Sequence, residues 1–300
     1  MKILLLGATG QVGNALRRSL STIGEVVATT RDGTLDGVAC ETADIGDSDS
    51  LPALVERIAP DVVVNAAAYT AVDRAEQEPE VAFAANAEGP GRLAAACALR
   101  GARLVHYSTD YVFDGVSSRA YAEDDATAPL GVYGASKLAG EQAVRNSKAD
   151  HLIFRTAWVY GTHGHNFLRT MLRLGAEREE LRVVADQIGS PTPSYLIADI
   201  TAAAIARELT AGTYHLVTSG RTSWHAFAEA IMRQAVALGL LAKAPLVTAI
   251  ATSDYPTPAR RPSFSLLDNS RLSNALGLTF PDWETGLERV LQDLSKVDSG

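Results

Sequence analysis

Cysteine is almost missing from this chain: Cys40 and Cys97 are the only two, far apart and without metal-ligand spacing. That argues against a disulfide scaffold and a cysteine-based metal site, and both are expected as buried, reduced thiols of a cytosolic protein. Long apolar runs are also missing, since no stretch approaches the roughly 18–20 residues of a membrane helix. The opening MKILLLG is too short for a signal peptide and runs into a glycine motif instead of a cleavage site. A cytoplasmic location and no membrane partner are expected. Basic charge is in deficit: 27 Lys and Arg against 35 Asp and Glu leave a net −8. A nucleic-acid binder would carry a basic face, so that partner is not expected. An anionic small ligand stays open, because helix N-termini and a few arginines bind phosphate locally. Internal repeats and low-complexity segments are absent as well.

What is present suits a soluble α/β protein. With 300 residues, 47% of them hydrophobic and 21% charged, the chain can build one large domain or two modest ones. Ile3 to Leu6 read as a strand buried on both faces, followed at once by Gly7-Ala8-Thr9-Gly10-Gln11-Val12-Gly13 and a helical pattern through Leu16, Leu20 and Ile23. The spacing serves the needs of a dinucleotide-binding turn. Gly7 makes the tight turn, Gly10 admits a pyrophosphate to the backbone, and Gly13 lets helix and strand pack closely. A second strand, Glu25 to Thr30, ends where an adenosine ribose would lie. An NAD site usually places an acid there; here Thr30 and then Arg31 stand, and arginine suits a 2′-phosphate. NADPH is therefore favoured, with Asp32 one step on keeping NADH as the alternative. Residues 39–45 are expected as a third strand, with Asp44 placed to accept from an adenine amino group beside Ile45. Residues 61–65 form a fourth, opening into Ala66-Ala67-Ala68, small enough for a cofactor to lie against the backbone or simply a tight strand-to-helix turn. A helix over 81–100 carries Asn86, which reads equally as a polar relay and as an exposed residue.

The chain is organised around residues 104–141. A strand, Leu104 to Tyr107, delivers Ser108-Thr109-Asp110, and a helix over 133–145 carries Tyr133 and Lys137 on one face. A free phenol, with a pKa of about 10, is a poor acid at neutral pH. A neighbouring ammonium is expected to pull it down, while the Thr109 hydroxyl holds a carbonyl oxygen against it. The three groups suit protonation of an oxygen as a hydride reaches its carbon. Alone, Tyr-x-x-x-Lys also describes an ordinary amphipathic helix with a snorkelling lysine. Its setting decides: strands and helices alternate with short links, and Gly7, Asp44, Ala66, Thr109 and Trp158 all fall at or just past strand carboxyl ends, where such sheets bind ligands.

After Tyr160 the pattern changes. Helices are expected over 166–178, 195–209, 227–238, 270–276 and 283–294, with strands at 181–184 and 212–217, the latter rejoining the main sheet. The last few residues are expected to be loose. The fold class is α/β: a Rossmann-like doubly wound parallel sheet with a smaller C-terminal α/β substrate-binding domain. Residues 1–162, rejoined by about 194–222, make the first part; 163–193 and 223–300 make the second. His163 and His165 form an H-x-H with no further ligand cluster, so no metal is expected. Tyr255-Pro256-Thr257-Pro258-Ala259-Arg260-Arg261-Pro262 is a proline-stiffened loop that cannot be helix.

GATGQVG, NAAAYTAVD, HYSTDYVFDG, VYGASKLAGE, RTAWVYG and YPTPARRP, in this order and spacing, resemble the dTDP-4-dehydrorhamnose reductase family. That family lies in the extended branch of the short-chain dehydrogenase/reductases, and the likeness covers nearly the whole chain. It implies NAD(P)H-dependent reduction of the C4 keto group of dTDP-4-dehydro-L-rhamnose to dTDP-L-rhamnose, in nucleotide-sugar and cell-surface polysaccharide biosynthesis such as that of O-antigen. By motif it implies that Thr109 binds the keto oxygen, Tyr133 gives the proton, and Lys137 lowers the phenol and holds the nicotinamide ribose. Gly10, Gln11, Val12, Asp44, Ile45 and Ala66 to Ala68 are implied to contact the cofactor, and Asp110, Tyr111 and Trp158 to line the sugar pocket. Asn166, Gln187, Arg260 and Arg261 are added on the substrate side, the stiff proline loop presenting the two arginines and Arg261 favoured for the diphosphate. Some members carry a first-helix glutamate that helps bind magnesium between two subunits. Here Ala15 stands in that place, and Tyr195 where another acid is expected, so no such metal and a monomer or weak homodimer are expected. Two alternatives stay open: a nucleotide-sugar epimerase or dehydratase of the same branch, and a non-catalytic NADP-binding regulatory subunit.

Overall fold

The computed structural model describes residues 1–297. Its strands are β1 (Lys2–Leu6), β2 (Glu25–Thr30), β3 (Thr34–Leu35), β4 (Val38–Ala39), β5 (Glu41–Thr42), β6 (Val62–Asn65), β7 (Arg103–Thr109), β8 (His151–Thr156), β9 (Val159–Tyr160), β10 (Glu180–Val184), β11 (Ile188–Gly189), β12 (Thr192–Pro193), β13 (Gly212–His215), β14 (Thr222–Ser223) and β15 (Leu246–Ile250). Its helices are α1 (Gln11–Ser21), α2 (Leu51–Ile58), α3 (Val72–Ala75), α4 (Pro79–Phe83), α5 (Gly89–Arg100), α6 (Val132–Asn146), α7 (Phe167–Glu177), α8 (Ser194–Ala206), α9 (Trp224–Ala237), α10 (Ser270–Leu276) and α11 (Trp283–Val297).

Seven strands form the main sheet in the order β13-β8-β7-β6-β1-β2-β5, every pair parallel. The order reverses direction on either side of β1, which opens a crevice at the strand carboxyl ends. The alternation of β1 explains its depth in the sheet. Ile3 and Leu5 face Leu16 and Leu20 of α1 and Ile197 of α8, while Leu4 and Leu6 face Leu51 of α2 and Leu93 of α5. A third apolar core joins Leu168, Leu181, Phe227, Ile231, Trp283 and Leu287, around the small parallel pair β10 and β15. Leu272 and Leu276 of α10, with Phe280, pack into the first core instead. Among the described residues no helix is long and apolar enough to cross a membrane.

Several expected elements differ in extent. The expected strand 39–45 shrinks to Glu41–Thr42, because Val38 and Ala39 turn back onto Thr34 and Leu35 in a hairpin. The expected helix over 81–100 is interrupted by a π-helical turn, Ala84–Glu88. Pro90 has no N–H to give the Asn86 carbonyl, so regular α pairing fails there. β15 was not foreseen; its partner Glu180–Val184 is far away in sequence. Helix α9 begins three residues before its expected start because Ser223 caps it, accepting from Ala226 N at 3.1 Å. Cys97 is buried as expected and its thiol is pushed up to about 12 by burial, whereas Cys40 is only half-buried. The looseness expected at the last few residues lies outside the described residues.

Candidate active site

The glycine turn is shaped by close approach. Gly7 has φ +75°, and a Cβ there would stand 2.7 Å from Ala67 N; one on Gly13 would stand 2.0 Å from Gly7 O. No side chain caps α1 at Gly10, so its first N–H groups are left to an oxyanion. Thr30 at the end of β2 is buried, donating to Asp32 Oδ1 at 2.8 Å and accepting from Thr34 N at 3.0 Å. The Thr30 hydroxyl, with Thr34 N donating to the same oxygen at 3.2 Å, holds the Asp32 carboxyl below its ordinary range. Arg31 is exposed and enters no ion pair among the described residues. Asp44 spends one oxygen on Gly46 N at 2.9 Å, and Ile45 beside it is buried. Across the crevice, Asn65 Oδ1 accepts from Ala67 N at 3.1 Å and fixes the turn through Ala66, Ala67 and Ala68. The open helix end and the unpaired Arg31 guanidinium fit the phosphates of a dinucleotide.

The expected catalytic residues gather where β7 meets α6. Thr109 Oγ1 donates to Asp110 Oδ1 at 3.0 Å and accepts from Tyr111 N at 3.2 Å. The Tyr111 ring stands edge-on to the Tyr133 ring, with centroids 5.5 Å apart. Lys137 is buried and donates to Tyr107 O at 2.6 Å; burial brings its pKa down to about 8. The expected lowering of the phenol does not occur. Protein packed around Tyr133 pushes its pKa up, the Thr109 hydroxyl beside it pulls only partly the other way, and the Lys137 ammonium is turned to a backbone carbonyl. Burial also pushes the Asp110 carboxyl up to about 6, against bonds from the Ser265 and Thr109 hydroxyls. Glu76 reaches in to accept from Val132 N at 2.8 Å and so caps α6 from outside.

A family model described as the RmlD substrate binding domain matches residues 1–296. The dTDP-4-dehydrorhamnose reductase of Burkholderia thailandensis is 49% identical over 306 residues, covering 98% of this chain and 99% of its own. The chain belongs to the dTDP-4-dehydrorhamnose reductase family. A crystal structure of such a reductase from Clostridium acetobutylicum superposes with a TM-score of 0.89 at 37% identity, covering 98% of this chain and 99% of that one. Another, from Bacillus anthracis in complex with NADP, gives the same TM-score and identity, covering 97% and 99%.

The remaining expected residues of this family's site fall into separate groups. Gln11 faces the 163–166 loop, donating to His165 O at 3.2 Å and accepting from Asn166 Nδ2 at 3.0 Å. Asn166, expected on the substrate side, thus lies against the glycine turn, and its Oδ1 caps α7 through Arg169 N at 3.0 Å. Gln187 is buried and donates to Thr252 Oγ1 at 3.1 Å. Trp158 stacks on Trp224. The two arginines of the proline loop part company. Arg261 pairs with Asp73 at 2.8 Å and donates to the Tyr111 hydroxyl at 3.3 Å, while Arg260 is exposed.

Some supporting residues carry no motif. Asn86, read equally two ways above, is fully buried. It accepts from Tyr69 N at 2.9 Å and donates to Tyr69 O and to Ser136 Oγ, both at 3.0 Å. It therefore ties the segment after Ala68 to α6. Glu141, one turn beyond Lys137, is buried in a two-bond pair with Arg155 of β8, both bonds 2.8 Å. Only an odd polar residue in an apolar segment marked either in sequence. Among the described residues no three His, Cys, Asp or Glu side chains gather as metal ligands.

Proposed function

We propose that this chain reduces the C4 keto group of dTDP-4-dehydro-L-rhamnose to dTDP-L-rhamnose with NADPH, using Thr109, Tyr133 and Lys137. The observation that carries the reading is the convergence of Thr109, Tyr133 and a buried Lys137 at a parallel sheet's carboxyl edge, across from an uncapped glycine turn. NADPH, when bound, supplies the hydride for C4. The Thr109 hydroxyl orients the keto oxygen. As the C–O π pair moves onto oxygen, the Tyr133 proton passes to it, and solvent restores the phenol. A raised pKa suits this step, because the phenol holds its proton until the basic oxygen arrives. Lys137, anchored on Tyr107 O, turns its remaining N–H bonds to the nicotinamide ribose. Arg31 takes the 2′-phosphate, the uncapped N-terminus of α1 the pyrophosphate, and Arg261 the diphosphate of the sugar nucleotide.

The division into a cofactor part (1–162 with about 194–222) and a substrate part (163–193 with 223–300) belongs to the same proposal. Support comes from the separate apolar core under α7, α9 and α11, with α10 as the segment that crosses to the sheet. A monomer or weak homodimer without bridging metal is proposed from Ala15 and from Tyr195, whose ring lies 4.0 Å beneath the Arg289 guanidinium, and a cytoplasmic location from the two unpaired thiols. The test is to make the ketosugar with its upstream enzymes and follow nicotinamide absorbance. One NADPH consumed per sugar is expected. An epimerase or dehydratase returns its nicotinamide to the starting state, and a regulatory subunit consumes none, so no net oxidation would count against the proposal.

A further inference from the structure

Trp158 has φ +48°, the left-handed region that a bulky side chain rarely adopts. Such an outlier persists only where its surroundings hold it, and such outliers cluster where a group must be presented in one orientation. Here the surroundings can be named. The Trp158 indole lies flat on the Trp224 indole, with centroids 3.6 Å apart and planes 8° apart. Phe167 backs Trp224 in turn, 4.6 Å away. Residue 189 must be glycine, because a Cβ there would stand 2.6 Å from Trp158 Cε2. The Trp158 carbonyl accepts from Thr192 N at 3.2 Å. Trp224 itself has little freedom: it opens α9 directly after the Ser223 cap, and Ser223 pairs with Ile188 across β11 and β14. Both indoles are half-buried. Trp158 also lies two residues beyond Thr156, which pairs with Thr109.

We propose that Trp224 is a positioning residue: it sets the plane of the Trp158 indole and, through it, the sugar ring of the substrate. This rests on the reading of Trp158 as a wall of the sugar pocket. Trp224 belongs to the core of α7, α9 and α11, so the orientation of the pocket wall depends on a helix outside the main sheet. An aromatic stack contributes enough that its loss corresponds to roughly twofold to tenfold in affinity.

Two stacked indoles couple their transitions and give paired bands of opposite sign in far-ultraviolet circular dichroism. Those bands are expected in the parent protein and should vanish in both Trp158→Phe and Trp224→Phe. Binding is then titrated with two probes, dTDP-L-rhamnose and dTDP, which differ only by the sugar. Trp224→Ala should weaken dTDP-L-rhamnose roughly twofold to tenfold and leave dTDP and NADPH unchanged, while Trp224→Phe restores most of the loss. Adding Trp224→Ala to Trp158→Ala should cost nothing further. Unchanged dTDP-L-rhamnose affinity in Trp224→Ala, or an equal loss for dTDP, overturns the assignment. Unchanged dTDP-L-rhamnose affinity in Trp158→Ala instead removes the pocket reading on which it rests.

Discussion

At the residue scale, the phenol and the ammonium are each shifted away from their ordinary values, and both shifts lead to measurements. Tyr133 is held protonated by the protein packed around it. Tyr133→Phe should keep NADPH affinity and lose about 10² to 10⁴-fold in turnover, the usual contribution of a positioned acid. A variant turning over near the parental rate would remove Tyr133 from its role. Lys137, lowered to about 8 by burial, is charged below that pH and neutral above it. The ratio kcat/KM for NADPH should therefore fall as pH rises through about 8, and Lys137→Met should show low activity without that limb. Asp110 works in the opposite chemical sense. Its folded-state pKa, about 6, lies above the ordinary 3.8, so the fold binds the proton more tightly than the unfolded chain does. Its stabilising contribution is full below about 3.8 and lost as pH rises through about 6. Urea unfolding of the parent and Asp110→Asn should diverge across that window by up to about 3 kcal/mol, at 1.36 kcal/mol per unit.

At the element scale, helix α6, which carries Tyr133 and Lys137, is held by contacts from three directions. Glu76 caps it, Asn86 ties it to the segment after Ala68 through Ser136, and Glu141 pins it to β8 through Arg155. A buried ion pair adds little over well-packed apolar residues, but stranding one partner is costly. Arg155→Met alone should lower stability by less than the roughly 3 to 5 kcal/mol of a fully stranded charge, because Arg145 still donates to Glu141 Oε2 at 2.8 Å, and Glu141→Leu combined with it should recover much of the loss. Chemical denaturation of the single and double variants measures this. Equal midpoints for the parent and Arg155→Met would show that the pair is not held as described. The same helix carries both local and distant partnerships. Tyr133 and Lys137 lie four apart and announce a shared face, whereas Asn86 meets its partners 17 and 50 positions away. No local pattern carries that information.

At the scale of the whole molecule, a net −8 and a doubly anionic sugar nucleotide must be reconciled locally. In this structure Arg261 is paired with half-exposed Asp73, a contact that solvent screens and that a diphosphate can replace. Arg261→Ala should weaken dTDP about tenfold to a hundredfold, the range of a charge-assisted bond, while NADPH affinity on the other side of the crevice holds. Arg260→Ala, at an exposed position, should have the smaller effect. Unchanged dTDP titrations for both variants would return the loop to a structural role. Removal of divalent cations belongs to this scale as well. With Ala15 and Tyr195 in place of acids, activity and sedimentation should be the same before and after exhaustive EDTA treatment.

By itself the sequence determined what depends on neighbours along the chain: the glycine turn, the Tyr133–Lys137 face, the run of apolar strands and, through motifs in order, the family. Period-2 and i,i+4 patterns are local, and so is the φ that Gly7 requires. Only the tertiary structure decided what depends on who is adjacent across the sheet. It showed that Lys137 is turned to Tyr107 O and burial governs the phenol, that Asn166 lies against the glycine turn, that Asn86 and Arg155 are buried supports, and that Trp158 is held by Trp224. Desolvation and partner choice are properties of the packed interior, and a list of residues contains neither until the chain has folded.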